Sequence, residues 1–163
     1  MNDQAIREGD QANSVRKVVN VQAPPEVAWR VFTEKIGTWW PLANYKIGKA
    51  KAVDAVIEPR IGGRWYERGE DGSTCDWGRV LSWEPHSRLV LYWQISADWQ
   101  YDPTLETEVE VRFIADGKNA TRVELEHRRL DLYGARCDEM RHIFDTEGDW
   151  GRLLEMFARA AAA

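Results

Sequence analysis

The clearest pattern along the chain is an alternation of apolar and polar residues between positions 105 and 130. In "LETEVEVRFIA" one face would carry Thr107, Val109, Val111 and Phe113. In "TRVELEHRRL" Val123 and Leu125 repeat the same spacing, and "DGKN" separates the two runs. A period of two residues is typical of strands, and a short Gly-containing connection is typical of a hairpin. The pattern predicts two antiparallel strands with one dry face and one solvated face.

Shorter runs bounded by Gly, Pro, Asp and Ser predict further strands. Val15, Val19 and Val21 are separated by even numbers, which indicates a strand near the start of the chain. Asp71-Gly72 favours a tight hairpin turn. The other predicted strands lie in "KAVDAVIEP", "GRWYER", "CDWGRVLSW" and "RLVLYWQI".

Two segments instead show helical spacing. Residues 24–36 begin with Pro-Pro and carry an apolar stripe that includes Val27, Val31 and Phe32. Residues 138–163 predict a long C-terminal helix, interrupted near Gly148 and Gly151. Its apolar stripe at i, i+3, i+4 and i+7 consists of Trp150, Leu153, Leu154 and Phe157.

The predicted order is strand, helix, about six strands and a long helix, which is an α+β fold. The length of 163 residues suits one domain. No repeat or linker divides the chain. We therefore expect a flexible polar segment at residues 1–14 and a single domain at residues 15–163.

Composition changes this picture mainly through tryptophan, of which the chain has nine. Each indole adds a large apolar surface and one N–H group that needs a partner when buried. So many indoles on short strands predict either a large core or the walls of a cavity.

The formal net charge of -5 argues against a nucleic-acid partner, because phosphate backbones require a basic face. No apolar run approaches the ~18 residues of a membrane-spanning helix, so membrane insertion is not expected. The polar N-terminus lacks the apolar centre of a signal peptide, which favours a cytoplasmic location. Cys75 and Cys137 show no metal-binding spacing, so the sequence predicts no metal site and no cofactor.

Several motifs, taken in their order along the chain, resemble the motifs of a known family. They are "VQAPPEVAWRVFT", "WWPL", "EPRIGGRWYERGEDGS", "WGRVLSWEPHSRLVLYWQI", "TEVEVRF", "TRVELEH" and "EGDWGRLLEMFA". Their order is similar to that of the SRPBCC, or START-like, superfamily, and in particular to the family of the C-terminal domain of the heat-shock-protein-90 ATPase activator. The resemblance covers about residues 15–160. It implies a helix-grip fold, in which a curved antiparallel sheet of six to seven strands wraps around a long C-terminal helix.

The resemblance also implies a function. In the superfamily the space between sheet and helix is typically a pocket, so we expect a small apolar or amphipathic ligand. A cyclase-like or hydrolase-like enzyme acting in that pocket is one alternative. A chaperone-activating module is a weaker one, because the activator has a further N-terminal domain that this chain is too short to contain. The sequence leaves open whether the chain forms a homodimer.

Nine residues are candidates for the cavity wall, on the basis of ring size or of a polar group on an inward face. Each tryptophan among them fits core packing as well as cavity lining. A polar ring on a dry strand face is either a hydrogen-bonded core histidine or a ligand contact, and both interpretations stay open. No catalytic motif distinguishes an enzyme. The candidates are Trp39, Trp40, Trp65, Glu67, Trp77, Arg79, Trp93, His127 and Trp150.

Overall fold

The computed structural model describes residues 13–147 and 150–163. The predicted flexible segment therefore lies outside the described residues, except for Asn13 and Ser14. Seven strands form one curled antiparallel sheet in the order β1-β7-β6-β5-β4-β3-β2. Their bounds are β1 Val15–Val21, β2 Ala52–Ile57, β3 Arg64–Gly69, β4 Thr74–Glu84, β5 Arg88–Trp93, β6 Thr107–Ala115 and β7 Thr121–Arg128.

The alternating pattern of β6 and β7 is confirmed. Val111 pairs with Leu125 and Phe113 with Val123, and all four side chains are buried. Val109 pairs with His127 in the same register. The apolar residues of both strands thus share the concave face of the sheet, because strand side chains alternate between faces.

The helices lie before β2 and after β7. The predicted helix at residues 24–36 is divided into α1 (Pro25–Thr33) and a separate turn, α2 (Ile36–Trp39). The predicted C-terminal helix is also segmented, yet Gly151 lies inside its last segment and does not interrupt it. The bounds are α1 Pro25–Thr33, α2 Ile36–Trp39, a 3-10 segment Leu130–Arg136, α3 Cys137–His142, a π turn Ile143–Glu147 and α4 Trp150–Ala162.

Helix α4 packs its apolar stripe into the curl of the sheet. Trp150, Leu153, Leu154 and Phe157 are all buried, as the spacing predicts. Phe32 of α1 links this stripe to the sheet, with its ring centroid 5.2 Å from that of Phe157 and 5.9 Å from that of Phe113. The sheet, α1 and α4 therefore enclose one continuous core.

A bulge in β4 changes which side chains face this core. Trp65 of β3 pairs with Gly78, whereas the next residue, Tyr66, pairs with Asp76. Trp77 is the extra residue, and such an insertion shifts the alternation of the strand. Gly78 permits the close approach of β5, because a Cβ atom here would lie 1.7 Å from the carbonyl oxygen of Tyr92.

The convex face of the sheet carries ion pairs centred on Glu110 of β6. Arg88 and Arg128 lie 2.5 and 3.0 Å from its carboxylate oxygens. Burial favours the protonated form of Glu110, but the hydrogen bonds and charges of the arginines outweigh it and hold the pKa below its ordinary value. The charged groups of this face are therefore paired with one another within the chain, and the candidate site lies on the concave face.

Candidate functional site

A cavity of about 280 Å³ opens between the concave face of the sheet, the start of α4 and the segment that follows α2. Eleven of its thirteen lining residues are aromatic or aliphatic, and the other two are Asn44 and Lys46. Four of the predicted tryptophans line it, namely Trp40, Trp77, Trp93 and Trp150. Small-molecule sites have this character, with apolar walls and few polar groups.

The lining tryptophans hold one another in place. The ring centroid of Trp40 lies 5.2 Å from that of Trp77 and 5.9 Å from that of Trp150. Trp93 lies 5.6 Å from Trp150 by the same measure. Tilted and edge-to-face pairs at such distances are favourable beyond the area they bury. The rings therefore form one connected wall.

Two further predicted tryptophans lie in the core and do not line the cavity. Trp65 is buried behind the wall, with its ring 5.5 Å from that of Trp77 and 5.6 Å from that of Trp93. Trp39 packs 5.5 Å from Phe157 and donates its indole N–H to the carbonyl of Val31 at 2.8 Å. Both support the wall from outside the cavity.

His127 is fully buried, and the protein satisfies both of its ring nitrogens. Trp150 Nε1 donates to His127 Nδ1 at 3.2 Å. The proton therefore lies on Nε2, 3.0 Å from the hydroxyl of Thr107, which in turn donates to the carbonyl of Trp93 at 2.7 Å. Burial lowers the pKa of His127 to about 3, so the ring is neutral at physiological pH. His127 does not line the cavity, and its geometry is that of a core histidine that positions two tryptophans.

Glu67 is also buried, and its Oε1 accepts three hydrogen bonds. The donors are Trp77 Nε1 at 2.9 Å and the backbone N–H groups of Ile47 and Gly48 at 2.6 and 3.1 Å. The carboxylate thus ties the segment after α2 to the sheet. It faces a separate cleft that includes Cys75, rather than the aromatic cavity.

The structure places Arg79 away from the other predicted site residues. The sequence places Arg79 on the same strand face as Trp77, either as a cavity charge or as a solvated group at a strand end. The β4 bulge separates the two residues and turns Arg79 to the convex side. Its guanidinium is half-exposed there, 3.9 Å from Glu106 and 5.6 Å from the ring centroid of Tyr92. Arg79 is therefore a solvated group that does not line the cavity.

Sequence reasoning missed several lining residues, among them the exposed Trp99. Trp99 lies in the loop between β5 and β6 at φ 59, a left-handed conformation that bulky residues rarely adopt. Its ring is 43% exposed and meets Phe144 edge to face at 6.4 Å. The missed residues that lie in loops have no periodicity, so no pattern pointed to them, whereas those in predicted strands and helices fitted core packing equally well. Missed residues of the wall are Asn44, Tyr45, Lys46, Ile47, Ile95, Trp99, Ile143, Phe144 and Leu153.

Polar groups near the inner end of the cavity are nearly all paired. The hydroxyl of Tyr133 donates to the carbonyl of Ile95 at 2.6 Å. Burial raises the pKa of Tyr133, and the nearby polar groups of Trp93 and Thr107 offset this in part. Trp93 Nε1 is also buried; it meets no partner with full hydrogen-bond geometry, although the Tyr133 hydroxyl lies close enough to interact with it, and this interaction lowers the pKa of Tyr133.

The described residues contain no cluster of three or more His, Cys, Asp or Glu side chains that could hold a metal ion. Over the same part of the chain, no helix is long and apolar enough to cross a bilayer. Cys75 and Cys137 are unpaired.

Comparison with known proteins gives a family and several structural relatives. The model of the family described as "Activator of Hsp90 ATPase homolog 1-like protein" matches residues 22–162. An anthrahydroquino-γ-pyrone synthase, Txn09, is 35% identical with a TM-score of 0.63, over 90% of this chain and 96% of that one. The self-sacrificing resistance protein CalC from Micromonospora echinospora is 30% identical with a TM-score of 0.67, over 92% and 94%.

More distant matches show the fold alone. The Aha1 dimer from Colwellia psychrerythraea is 17% identical with a TM-score of 0.61, over 91% of this chain and 96% of that one. The search of curated proteins found no match.

Proposed function

Because this chain belongs to the family of Activator of Hsp90 ATPase homolog 1-like proteins, and its sheet and α4 enclose an aromatic cavity, we propose that it binds a small, largely apolar molecule there. The observation that carries the proposal is the cavity of about 280 Å³ with its wall of tryptophans. An engineered apolar cavity of ~150 Å³ holds benzene, so this volume accommodates a two-ring molecule.

Two further features support binding over a solid core. Trp40, Trp77 and Trp150 are fixed by ring contacts and by protein hydrogen bonds, and Trp93 is fixed by ring contacts, so the wall is largely preformed. Preformed sites bind more tightly because little conformational entropy is lost on binding. Trp99 adds an exposed ring at the cavity, and burial of that ring under a ligand would be favourable.

Catalysis in the same cavity is the second candidate. The specific observation in its favour is the 35% identity to a protein described as a synthase. The internal pairing of His127 and Glu67 weighs against it, since both groups already serve protein contacts. Activation of a chaperone ATPase remains the third, weaker proposal.

Binding is tested with naphthalene, measured by equilibrium dialysis, together with native mass spectrometry of freshly purified protein. We expect saturable binding of one molecule. The variant Ile143→Trp places a larger ring on the cavity wall and should abolish binding. Val18→Trp, on the solvent-exposed side of β1, is the matched control and should bind like the wild type. Absence of binding to the wild type, or equal binding by both variants, would contradict the proposal.

A further inference from the structure

A second cleft, of about 520 Å³, shares only Ile47 with the wall of the aromatic cavity. It lies between residues 47–50, the facing ends of β3 and β4 with their connecting turn, and residues 100–101. Most of its lining residues are polar or glycine, whereas the cavity is lined mainly by rings and aliphatic side chains. Its polar groups therefore decide which ligands suit it.

Glu67 lines this cleft, and its two carboxylate oxygens differ in their contacts. The residue is only 2% exposed, and Oε1 accepts all three of the N–H groups that bind the side chain. Oε2 accepts no hydrogen bond from the described residues, yet it is not among the side-chain atoms that are sealed from solvent without a partner. Oε2 is therefore reached from the cleft, and its lone pairs are available to a donor there.

Gly48 keeps this oxygen uncovered. A Cβ atom at Gly48 would lie 2.9 Å from Glu67 Oε2 and 3.4 Å from the Cβ of Cys75. The backbone of Gly48 does not adopt a positive φ, so no left-handed conformation requires a glycine at this position. The absence of a side chain at Gly48 instead leaves open the approach to the carboxylate.

The charges around the cleft favour a cation. Acids outnumber bases among its lining residues, and Lys49, the only base among them, is exposed to solvent. Lys46 is near the Cys75 thiol, but its ammonium donates to the carbonyl of Gly48. Burial raises the pKa of Cys75, and the charge of Glu67 raises it further, so the thiol is neutral at physiological pH. The buried charge of Glu67 thus has no cationic partner within the described chain.

We propose that this cleft binds small alkylammonium compounds, whose ammonium group donates to Glu67 Oε2. An ammonium supplies both the charge that the buried carboxylate lacks and the N–H groups for its free oxygen. Ile47 and Ala50 provide apolar surface in the cleft for a short alkyl chain. The site is separate from the aromatic cavity, so this inference does not depend on the proposed function.

The test is an NMR titration of the full chain with n-butylammonium, n-butanol and butyltrimethylammonium, followed through the amide signals of Ile47, Gly48 and Cys75. We expect n-butylammonium to bind saturably and to shift these signals, because it alone combines a positive charge with N–H donors. n-Butanol lacks the charge and butyltrimethylammonium lacks the N–H groups. Both should therefore bind about tenfold more weakly, or weaker still.

Two variants assign the binding to Glu67 Oε2. Glu67→Gln keeps one oxygen for the three N–H donors, so its amide NH2 group takes the place of Oε2 and opposes an ammonium. Gly48→Ala preserves the charge and covers the oxygen with a methyl group. Each should weaken n-butylammonium by about tenfold. The matched controls, Glu70→Gln in the exposed β3–β4 turn and Ile143→Trp in the aromatic cavity, should bind it like the wild type.

The outcomes separate this site from the cavity. Equal binding of the three probes, no shift at the three amides, or undiminished binding by Gly48→Ala would overturn the inference. Naphthalene binding to the same samples reports on the aromatic cavity, so either site can fail without the other. Should Glu67→Gln loosen the segment after α2, the ranking of probes on the wild type and the effect of Gly48→Ala still decide the inference.

Discussion

At the residue scale, His127 shows how alternation identifies an inward position without assigning its role. Its place on the concave face follows from the spacing of Val123 and Leu125 in β7. Its role depends on Trp150 and Thr107, which lie far away in sequence and occupy both ring nitrogens. The histidine therefore links α4 to the sheet and leaves no polar atom for a ligand.

The variant His127→Leu tests this role through stability and its pH dependence. The folded-state pKa is depressed from 6.5 to about 3. The unfolded state therefore binds the extra proton, and the neutral ring's stabilisation is complete above about pH 6.5 and lost as the pH falls toward 3. Between pH 6 and 5 the wild type should lose ~1 kcal/mol per pH unit through this proton, and the variant should lack that contribution.

Urea unfolding at several pH values measures both quantities. At pH 8 the variant should be ~1–3 kcal/mol less stable, because the N–H of Trp150 loses its acceptor. The folded variant should still bind naphthalene. Equal stability combined with lost binding would show that His127 contacts the ligand instead.

At the element scale, the irregular segment from residue 40 to residue 51 closes one side of the cavity. It contributes Asn44, Tyr45, Lys46 and Ile47 to the wall but contains no strand and no helix. Its backbone N–H groups at Ile47 and Gly48 are bound by Glu67 of β3. A single carboxylate on a rigid strand therefore fixes a segment that has little regular structure of its own.

Glu67→Gln keeps the size of this side chain and removes its charge. Hydrogen bonds to charged groups are stronger than neutral ones, so the segment should open more often. Hydrogen exchange at Ile47 and Gly48 should accelerate by about tenfold, while exchange in β6 and β7 stays unchanged. The control is Glu70→Gln, an exposed acid in the β3–β4 turn. Uniform acceleration throughout the sheet would instead assign Glu67 to global stability.

At the scale of the whole molecule, charge constrains the partners. The net charge is -5, and the arginines of the convex sheet face are paired with acids. Arg88 and Arg128 share Glu110, and Arg128 also pairs with Glu108 at 2.9 Å. Paired cations do not form the basic stripe that a phosphate backbone requires.

We therefore expect no appreciable binding to nucleic acid at physiological salt. A gel-shift titration with random duplex DNA, with a basic DNA-binding protein as positive control, measures this directly. Micromolar binding that weakens with rising salt would contradict the expectation.

The sequence by itself determined the elements and the inward residues of the regular strands. Alternation in β6 and β7 and the apolar stripe of α4 are local periodicities, and burial follows from them directly. The family resemblance predicted in addition that the sheet wraps around the C-terminal helix. The nine tryptophans indicated a core or a cavity, but composition could not distinguish the two.

Only the tertiary structure decided which of these rings line the cavity. The β4 bulge depends on pairing with β3, and it turned Arg79 outward although the spacing placed it on the same strand face as Trp77. The cavity wall combines loop residues such as Trp99 and Lys46 with strand residues, and loops carry no periodicity to reveal them. The hydrogen bond from Trp150 to His127 likewise depends on where both residues lie, because hydrogen bonding between distant residues is a property of the folded chain.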